Sequence, residues 1–129
     1  MILGLWCLLP TALADHTPDS LDTIERNLAE RKALLVDVRE HAETEKGYID
    51  GAVLVPLSLL NDGKTDDKFR QVLAQQLPPK AIVYTYCRSG RRSLQAATVL
   101  DSFGYDARPL KYGFADLARE GFVTAKPKK

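Results

Sequence analysis

The chain has 129 residues, of which 45% are hydrophobic and 27% are charged. This length is enough for one domain with a proper core and too short for two, and the composition is ordinary for a globular protein. Its 18 Lys and Arg residues and 17 Asp and Glu residues leave a formal net charge of +1, which gives no reason to expect a nucleic-acid or membrane-surface partner.

The first predicted element is the segment MILGLWCLLPTALA, residues 1–14, which contains no charged side chain. It is apolar as far as Leu9, too short to span a bilayer, and ends in an A-x-A site of the kind that signal peptidase cleaves. We therefore expect residues 1–14 to be a signal peptide and residues 15–129 to be a single domain, periplasmic or secreted and free of the membrane after cleavage. No Lys or Arg precedes the apolar stretch, so an apolar arm packed on a cytoplasmic domain is the alternative.

Predicted helices and strands alternate along the rest of the chain, after a short linker at residues 15–19. The predicted helices are 20–31, with Ser20 as the N-cap, 40–46, 66–77, 91–103 and 115–120; the predicted strands are 33–38, 52–55, 81–86 and 107–110. Residues 61–64 are predicted to be a loop. The core-facing positions of the helix at 66–77 are predicted to be Phe69, Val72, Leu73 and Leu77. Pro109 lacks a backbone donor, which predicts an edge position or a bulge for the last strand. The alternation predicts an α/β fold with a mainly parallel sheet.

A cysteine lies at the end of the third predicted strand, within the sequence TYCRSGRRS. The residues that connect it to the next helix are Arg88, Ser89, Gly90, Arg91 and Arg92. Ligand sites in open α/β sheets lie at the carboxyl ends of strands, and a helix N-terminus favours an anion. Gly90 lets the backbone curl, so we expect N–H groups to point at the Cys87 sulfur. These groups and the nearby arginines favour the thiolate, which makes Cys87 a candidate nucleophile.

Three other roles for Cys87 fit its sequence context less well. Lone cysteines are usually buried and inert, but an inert cysteine gains nothing from three arginines, a glycine and a helix start. A metal site is not expected, because His16 and His41 lack ligand-like spacing to Cys87. A Cys–His hydrolase would need His41 as its base, and the sequence offers that histidine no evident orienting partner.

Two blocks of sequence resemble the rhodanese family of sulfurtransferases, in its single-domain, periplasmic form. The first block begins LVDVRE at residues 35–40, includes Glu43, and continues GYIDGAV at 47–53 to Pro56. The second block, CRSGRR at 87–92, is similar to the six-residue active-site loop of the family. The chain departs from the usual pattern at Tyr48, Asp50, Tyr112 and Leu117.

The resemblance implies a three-layer fold, with a mainly parallel central sheet flanked by helices, and a catalytic Cys87. It implies that Cys87 takes the outer sulfur of a small anionic donor such as thiosulfate and passes it from a persulfide to cyanide or a thiol. No cofactor or metal is needed for this reaction. The backbone N–H groups of residues 88–92 would hold the persulfide anion, Arg88 and Arg91 would attract the donor, and Arg92 would fold back to brace the loop.

Two charged residues of the first block, Asp37 and Arg39, are expected to support the site. Asp37 and Arg39 lie at the end of a strand near the expected site, where an ion pair or hydrogen bond that fixes neighbouring loops is their commoner role. Glu43 is interpreted as a solvated charge on a short helix.

Two rival functions share features with this sequence. Phosphatase-type enzymes also place a cysteine and an arginine around an anion loop, but with five residues between them, whereas Cys87 and Arg92 are separated by four. Non-catalytic binding modules of the same fold commonly lack the cysteine, which this chain keeps.

Overall fold

The structure, a computed structural model, describes residues 15–128. The predicted signal peptide, residues 1–14, lies outside the described residues, so its cleavage and the export of the protein stay predictions. Within residues 15–128, no helix has the length and apolar character needed to cross a membrane. The elements are α1 (Leu21–Ala29), β1 (Ala33–Asp37), α2 (His41–Thr44), β2 (Tyr48–Ile49), β3 (Val53–Leu54), α3 (Leu57–Asp62), α4 (Asp67–Gln76), β4 (Ile82–Tyr86), α5 (Arg91–Ser102), β5 (Asp106–Pro109), α6 (Phe114–Arg119) and β6 (Thr124–Ala125).

Four of the strands form a parallel sheet in the order β3-β1-β4-β5, which confirms the predicted α/β fold. The register places Asp37 of β1 beside Tyr86 of β4, the residue before Cys87. The carboxyl ends of β1 and β4 therefore lie together at one edge of the sheet. The strand β5, which contains Pro109, is at the edge of the sheet, as the proline predicts.

Side chains alternate between the two faces of each strand, so each face of the sheet presents side chains that pack against helices. One core contains Val36 and Val83 from the strands together with Leu60, Leu73 and Leu100 from α3, α4 and α5. The core on the opposite face is formed by side chains from β1, β4, α1 and α6, which include Leu35, Tyr84, Ile24 and Leu117. The helices on the two faces and the sheet between them are the three layers that the resemblance implies.

The structure corrects several of the local predictions. Residues Leu57–Asp62 form a helix, so the predicted loop at 61–64 begins inside it. The strands β2 and β6 were not predicted, and they form a separate antiparallel pair. Val72 is 53% exposed and does not face the core. The face of α4 that packs on the core is therefore narrower than its sequence predicts, with Leu73 buried and Phe69 partly buried.

The predicted linker at 15–19 is instead bound to the sheet, and we call it the N-terminal strap. The Thr17 N–H donates to the Pro109 carbonyl at 2.8 Å. The Asp19 carboxylate accepts hydrogen bonds from the Tyr84 hydroxyl at 2.7 Å and from the Arg108 guanidinium at 2.9 Å. Burial raises the pKa of Asp19, but the hydrogen bonds from Tyr84 and Arg108 together outweigh it, so that this pKa lies below its ordinary value. The strap therefore has a defined path beside the carboxyl end of β5.

Candidate active site

The six residues 87–92, which we call the Cys87 loop, connect the carboxyl end of β4 to the first turn of α5. Gly90 is the N-cap of α5 and has φ of 96° and ψ of −16°, in the left-handed region. A glycine adopts this conformation without the steric strain that a side chain would add. The loop therefore turns back on itself and places Gly90 over the cysteine, as its sequence predicts.

The sulfur of Cys87 lies inside this turn. The Gly90 N–H donates to the Cys87 Sγ at 3.0 Å. An N–H donor and the N-terminus of a twelve-residue helix both favour negative charge at this position. Cys87 has no exposed surface, so a reagent reaches its sulfur only when neighbouring side chains move aside.

The carbonyl group of Gly90 has contacts of its own. Its oxygen lies 2.7 Å from the hydroxyl oxygen of the buried Ser93, which is also 3.0 Å from the Leu110 carbonyl oxygen. The Thr85 hydroxyl donates to the Ser93 carbonyl at 2.9 Å and so ties β4 to α5. Gly90, whose N–H faces the sulfur, is thus also held at its carbonyl by the Ser93 side chain of α5.

Gly113 supports the Cys87 loop from the segment between β5 and α6. A Cβ atom built on Gly113 would lie 1.9 Å from the Arg88 carbonyl oxygen, so the two backbones touch where only a glycine fits. The next residue, Phe114, donates its N–H to the Cys87 carbonyl at 2.9 Å. This contact was not predicted from the sequence.

Arg92 pairs with Glu43 of α2. Its two terminal nitrogens donate to the two Glu43 oxygens at 2.5 and 2.9 Å. This hydrogen bonding lowers the pKa of Glu43 to about 2, although partial burial acts in the opposite direction. The interpretation of Glu43 as a solvated charge is therefore wrong, because the fold brings Arg92 to it from the far end of the loop.

Asp37 and Arg39 form an ion pair behind the loop, in the supporting role that their position favours. The Arg39 guanidinium donates to both Asp37 oxygens, at 3.0 and 2.8 Å, and to the Gly47 carbonyl at 2.7 Å. It also lies 4.4 Å from the centre of the Phe114 ring. The exposed fractions of the two side chains are 7% for Arg39 and 0% for Asp37, so the pair is shielded from water. It joins β1, β2 and the start of α6 instead of contacting the sulfur.

Arg88, Ser89 and Arg91 are exposed around the buried Cys87. The two guanidinium groups are therefore available to an anion from solvent, whereas that of Arg92 is occupied by Glu43. Among residues 15–128, no cluster of three or more His, Cys, Asp or Glu side chains could hold a metal ion.

His16 of the strap contacts the loop, which the sequence analysis did not predict. Its Nε2 atom lies 2.8 Å from the Gly90 carbonyl oxygen, although 74 residues separate the two along the chain. No local pattern in the sequence signals a contact between residues so far apart.

A cavity of about 610 Å³ lies away from the cysteine. Its lining includes Leu28 of α1, Leu34 of β1, Asp50 and Phe122, and no residue of the Cys87 loop. The Cys87 loop therefore lies outside this cavity.

Known proteins are similar to this chain in sequence. Residues 20–120 match the family described as Rhodanese-like domain. A sulfurtransferase from Allochromatium vinosum is 32% identical over 108 residues, which cover 82% of this chain and 92% of that protein. The human thiosulfate:glutathione sulfurtransferase is 34% identical over 91 residues, which cover 67% of this chain and 78% of that protein.

A solved structure agrees with the sequence comparisons. The human single-domain sulfurtransferase TSTD1 superposes with a TM-score of 0.65 and 28% identity, over 78% of this chain and 93% of that one. Longer relatives also match, and the chain spans 21% of the length of those from Mycobacterium tuberculosis.

Proposed function

The chain belongs to the rhodanese-like domain family, and we propose that it is a thiosulfate sulfurtransferase in which Cys87 carries the sulfur as a persulfide. The observation that carries this proposal is the 3.0 Å hydrogen bond from the Gly90 N–H to the Cys87 Sγ, at the start of α5. A donor aimed at sulfur from a rigid turn stabilises a sulfur anion, and the reaction has such an anion before and after transfer. The relatives named as sulfurtransferases support sulfur transfer in general.

The first half of the reaction loads the cysteine. The Cys87 thiolate attacks the outer sulfur of thiosulfate, and a new S–S bond forms at Sγ. The bond between the two sulfur atoms of thiosulfate breaks, and sulfite leaves with the electron pair. Cys87 then carries one additional sulfur atom.

The second half of the reaction returns the cysteine to its starting state. Cyanide or a thiolate attacks the outer sulfur of the persulfide, the S–S bond breaks, and its electron pair returns to Cys87 Sγ. The name of the human relative, a thiosulfate:glutathione sulfurtransferase, supports a thiol acceptor. The two halves share one nucleophile and need no resident cofactor.

The charges around the loop fit a small anionic donor. Arg88 and Arg91 are exposed, and a dianion such as thiosulfate gains attraction from both guanidinium groups. The Glu43 carboxylate is neutralised by Arg92 and so does not repel the donor. Because Cys87 is buried, the donor must displace side chains around the loop, and we assign this entry to the exposed side of Arg88, Ser89 and Arg91.

A steady-state assay tests this function. Purified wild-type protein should convert thiosulfate and cyanide to sulfite and thiocyanate, and Cys87→Ser should retain the fold and lose the activity. Turnover by Cys87→Ser at the wild-type rate would refute the proposal. Phosphatase activity is the rival outcome, and hydrolysis of an aryl phosphate in the same preparation would favour it.

A further inference from the structure

The structure assigns His16 a role as a positioning residue that orients the N–H groups of the Cys87 loop for sulfur transfer. This inference rests on the proposed function, because it names how the loop is held during that reaction. His16 belongs to the N-terminal strap, which precedes the residues 20–120 that match the family. His16 therefore lies outside the part of the chain that the family model matches.

The hydrogen bond at Gly90 defines what the imidazole does. A carbonyl oxygen can only accept, so the Nε2 atom of His16, 2.8 Å from the Gly90 oxygen, carries the proton. The same oxygen also receives the Ser93 hydroxyl at 2.7 Å and the Leu94 N–H at 3.4 Å. The helical bond from Leu94 is long, so the two side chains hold this carbonyl more closely than the helix does.

Gly90 takes part in two successive peptide units of the loop, so a contact that holds its carbonyl restrains the residue between them. On its N-terminal side, the Gly90 N–H faces the sulfur at 3.0 Å. On its C-terminal side, the carbonyl belongs to the same peptide unit as the Arg91 N–H, which is the first of α5. A hydrogen bond to the carbonyl orients this unit and polarises its N–H, which becomes a stronger donor to an anion.

The imidazole also packs on the bare face of the glycine. A Cβ built on Gly90 would lie 2.9 Å from His16 Nε2 and 3.3 Å from Cε1, so the ring occupies the space that a side chain would fill. Gly90 is buried as a result of this and neighbouring contacts. The left-handed glycine is thus held in place from outside the loop, although its own backbone is the most flexible of any residue.

The strap holds His16 beside the Cys87 loop at little cost in conformational entropy. The Thr17 N–H is bonded to Pro109 at 2.8 Å, and Asp19 is bonded to Tyr84 and Arg108 at 2.7 and 2.9 Å. These anchors fix the backbone on the C-terminal side of His16, so fewer conformations are lost when the imidazole contacts the loop.

Two substitutions separate positioning from mere packing. His16→Ala removes the donor, whereas His16→Gln places an amide Nε2 the same number of bonds from the backbone. His41→Ala is the matched control, since the His41 side chain is 81% exposed on α2. The rate constant for persulfide formation from thiosulfate should fall about tenfold in His16→Ala, less than the loss expected for a donor that touches the reacting atoms directly. In His16→Gln this rate constant should be within about threefold of the wild-type value, and in His41→Ala it should equal the wild-type value.

Amide hydrogen exchange of Gly90 gives a readout that does not depend on sulfur transfer. Exchange should be about tenfold faster in His16→Ala than in wild type and should slow again in His16→Gln. Unchanged exchange and an unchanged rate of persulfide formation in His16→Ala would overturn the inference, as would a glutamine variant no better than alanine. If wild type forms no persulfide, the proposed function fails, and the exchange comparison still decides whether His16 positions the loop.

Discussion

The Arg92 guanidinium and the Glu43 carboxylate meet at 2.5 and 2.9 Å and join the end of the Cys87 loop to α2. The pair neutralises two charges beside the sulfur and leaves the exposed Arg88 and Arg91 as the cations that an incoming anion encounters. The pair also restrains the end of the Cys87 loop, because two hydrogen bonds to one carboxylate fix the orientation of the Arg92 guanidinium plane.

We predict that Glu43→Gln lowers the free energy of unfolding by about 1 kcal/mol at pH 7. We expect a decrease of only this size because the side chains of Arg92 and Glu43 are 30% and 31% exposed, and water screens the pair. The pKa of Glu43 is about 2 in the folded protein and ordinarily 4.5. A carboxylate with a lowered pKa stabilises the fold above its ordinary pKa and loses this contribution as the pH falls through the folded value.

Urea unfolding at several pH values measures this effect. The difference between wild type and Glu43→Gln should be constant above pH 4.5 and should shrink as the pH falls toward 2. Glu45→Gln, at a side chain that is 60% exposed on the neighbouring turn, should change stability little and serves as the control. A difference for Glu43→Gln that is the same at pH 7 and pH 3 would contradict the assignment.

We predict that Gly113→Ala slows sulfur transfer at least tenfold and lowers stability by about 1–3 kcal/mol. The new methyl group would meet the Arg88 carbonyl oxygen at 1.9 Å, so the Cys87 loop must move. Gly121→Ala is the control, because Gly121 has φ of 101° and no atom within 4 Å of a built Cβ. It should lower stability through backbone strain and leave the rate of sulfur transfer unchanged. Equal rates in the two variants would show that the contact at Gly113 does not govern the site.

We predict that one glycine inserted after Gly90 abolishes most sulfur transfer. The loop has four residues between Cys87 and Arg92, and a longer loop would move the Gly90 and Arg91 N–H groups away from the sulfur. Wild type should act on thiosulfate and not on p-nitrophenyl phosphate, whose phosphoryl group needs a wider ring of donors. A glycine inserted after the exposed Lys64 is the control and should preserve activity. Phosphate hydrolysis by wild type at a rate comparable with sulfur transfer would refute the argument from loop size.

We predict that the mature protein begins at Asp15 and lies outside the cytoplasm. The basis is the uncharged apolar segment at residues 1–14 with its A-x-A ending. N-terminal sequencing of the native protein checks this directly. A native protein that retains Met1 or Ile2 would show that the segment is not removed.

The sequence predicts the elements that have strong local patterns. The buried strands β1 and β4, the Ser20 cap of α1 and the glycine turn before α5 all follow from residues close together in the chain. The edge position of β5 follows from Pro109, because a missing donor acts locally.

The features that depend on distant partners could not be predicted in the same way. The strands β2 and β6 have two residues each and form only because Tyr48 pairs with Ala125. Glu43 looks solvated until Arg92, 49 residues away, is brought to it. His16 and Gly113 contact the Cys87 loop only because the fold brings them to it, and the residues next to them in sequence do not indicate these contacts.

Intact-mass spectrometry after thiosulfate treatment tests the central claim most directly, because it detects sulfur bound to the protein independently of any acceptor. Wild type should gain the mass of one sulfur atom, located on Cys87 by peptide mapping, and should lose it again when cyanide is added. Cys87→Ser should gain nothing under the same conditions. A wild-type protein that turns over thiosulfate without this adduct, or an adduct that forms equally on Cys87→Ser, would contradict a Cys87 persulfide.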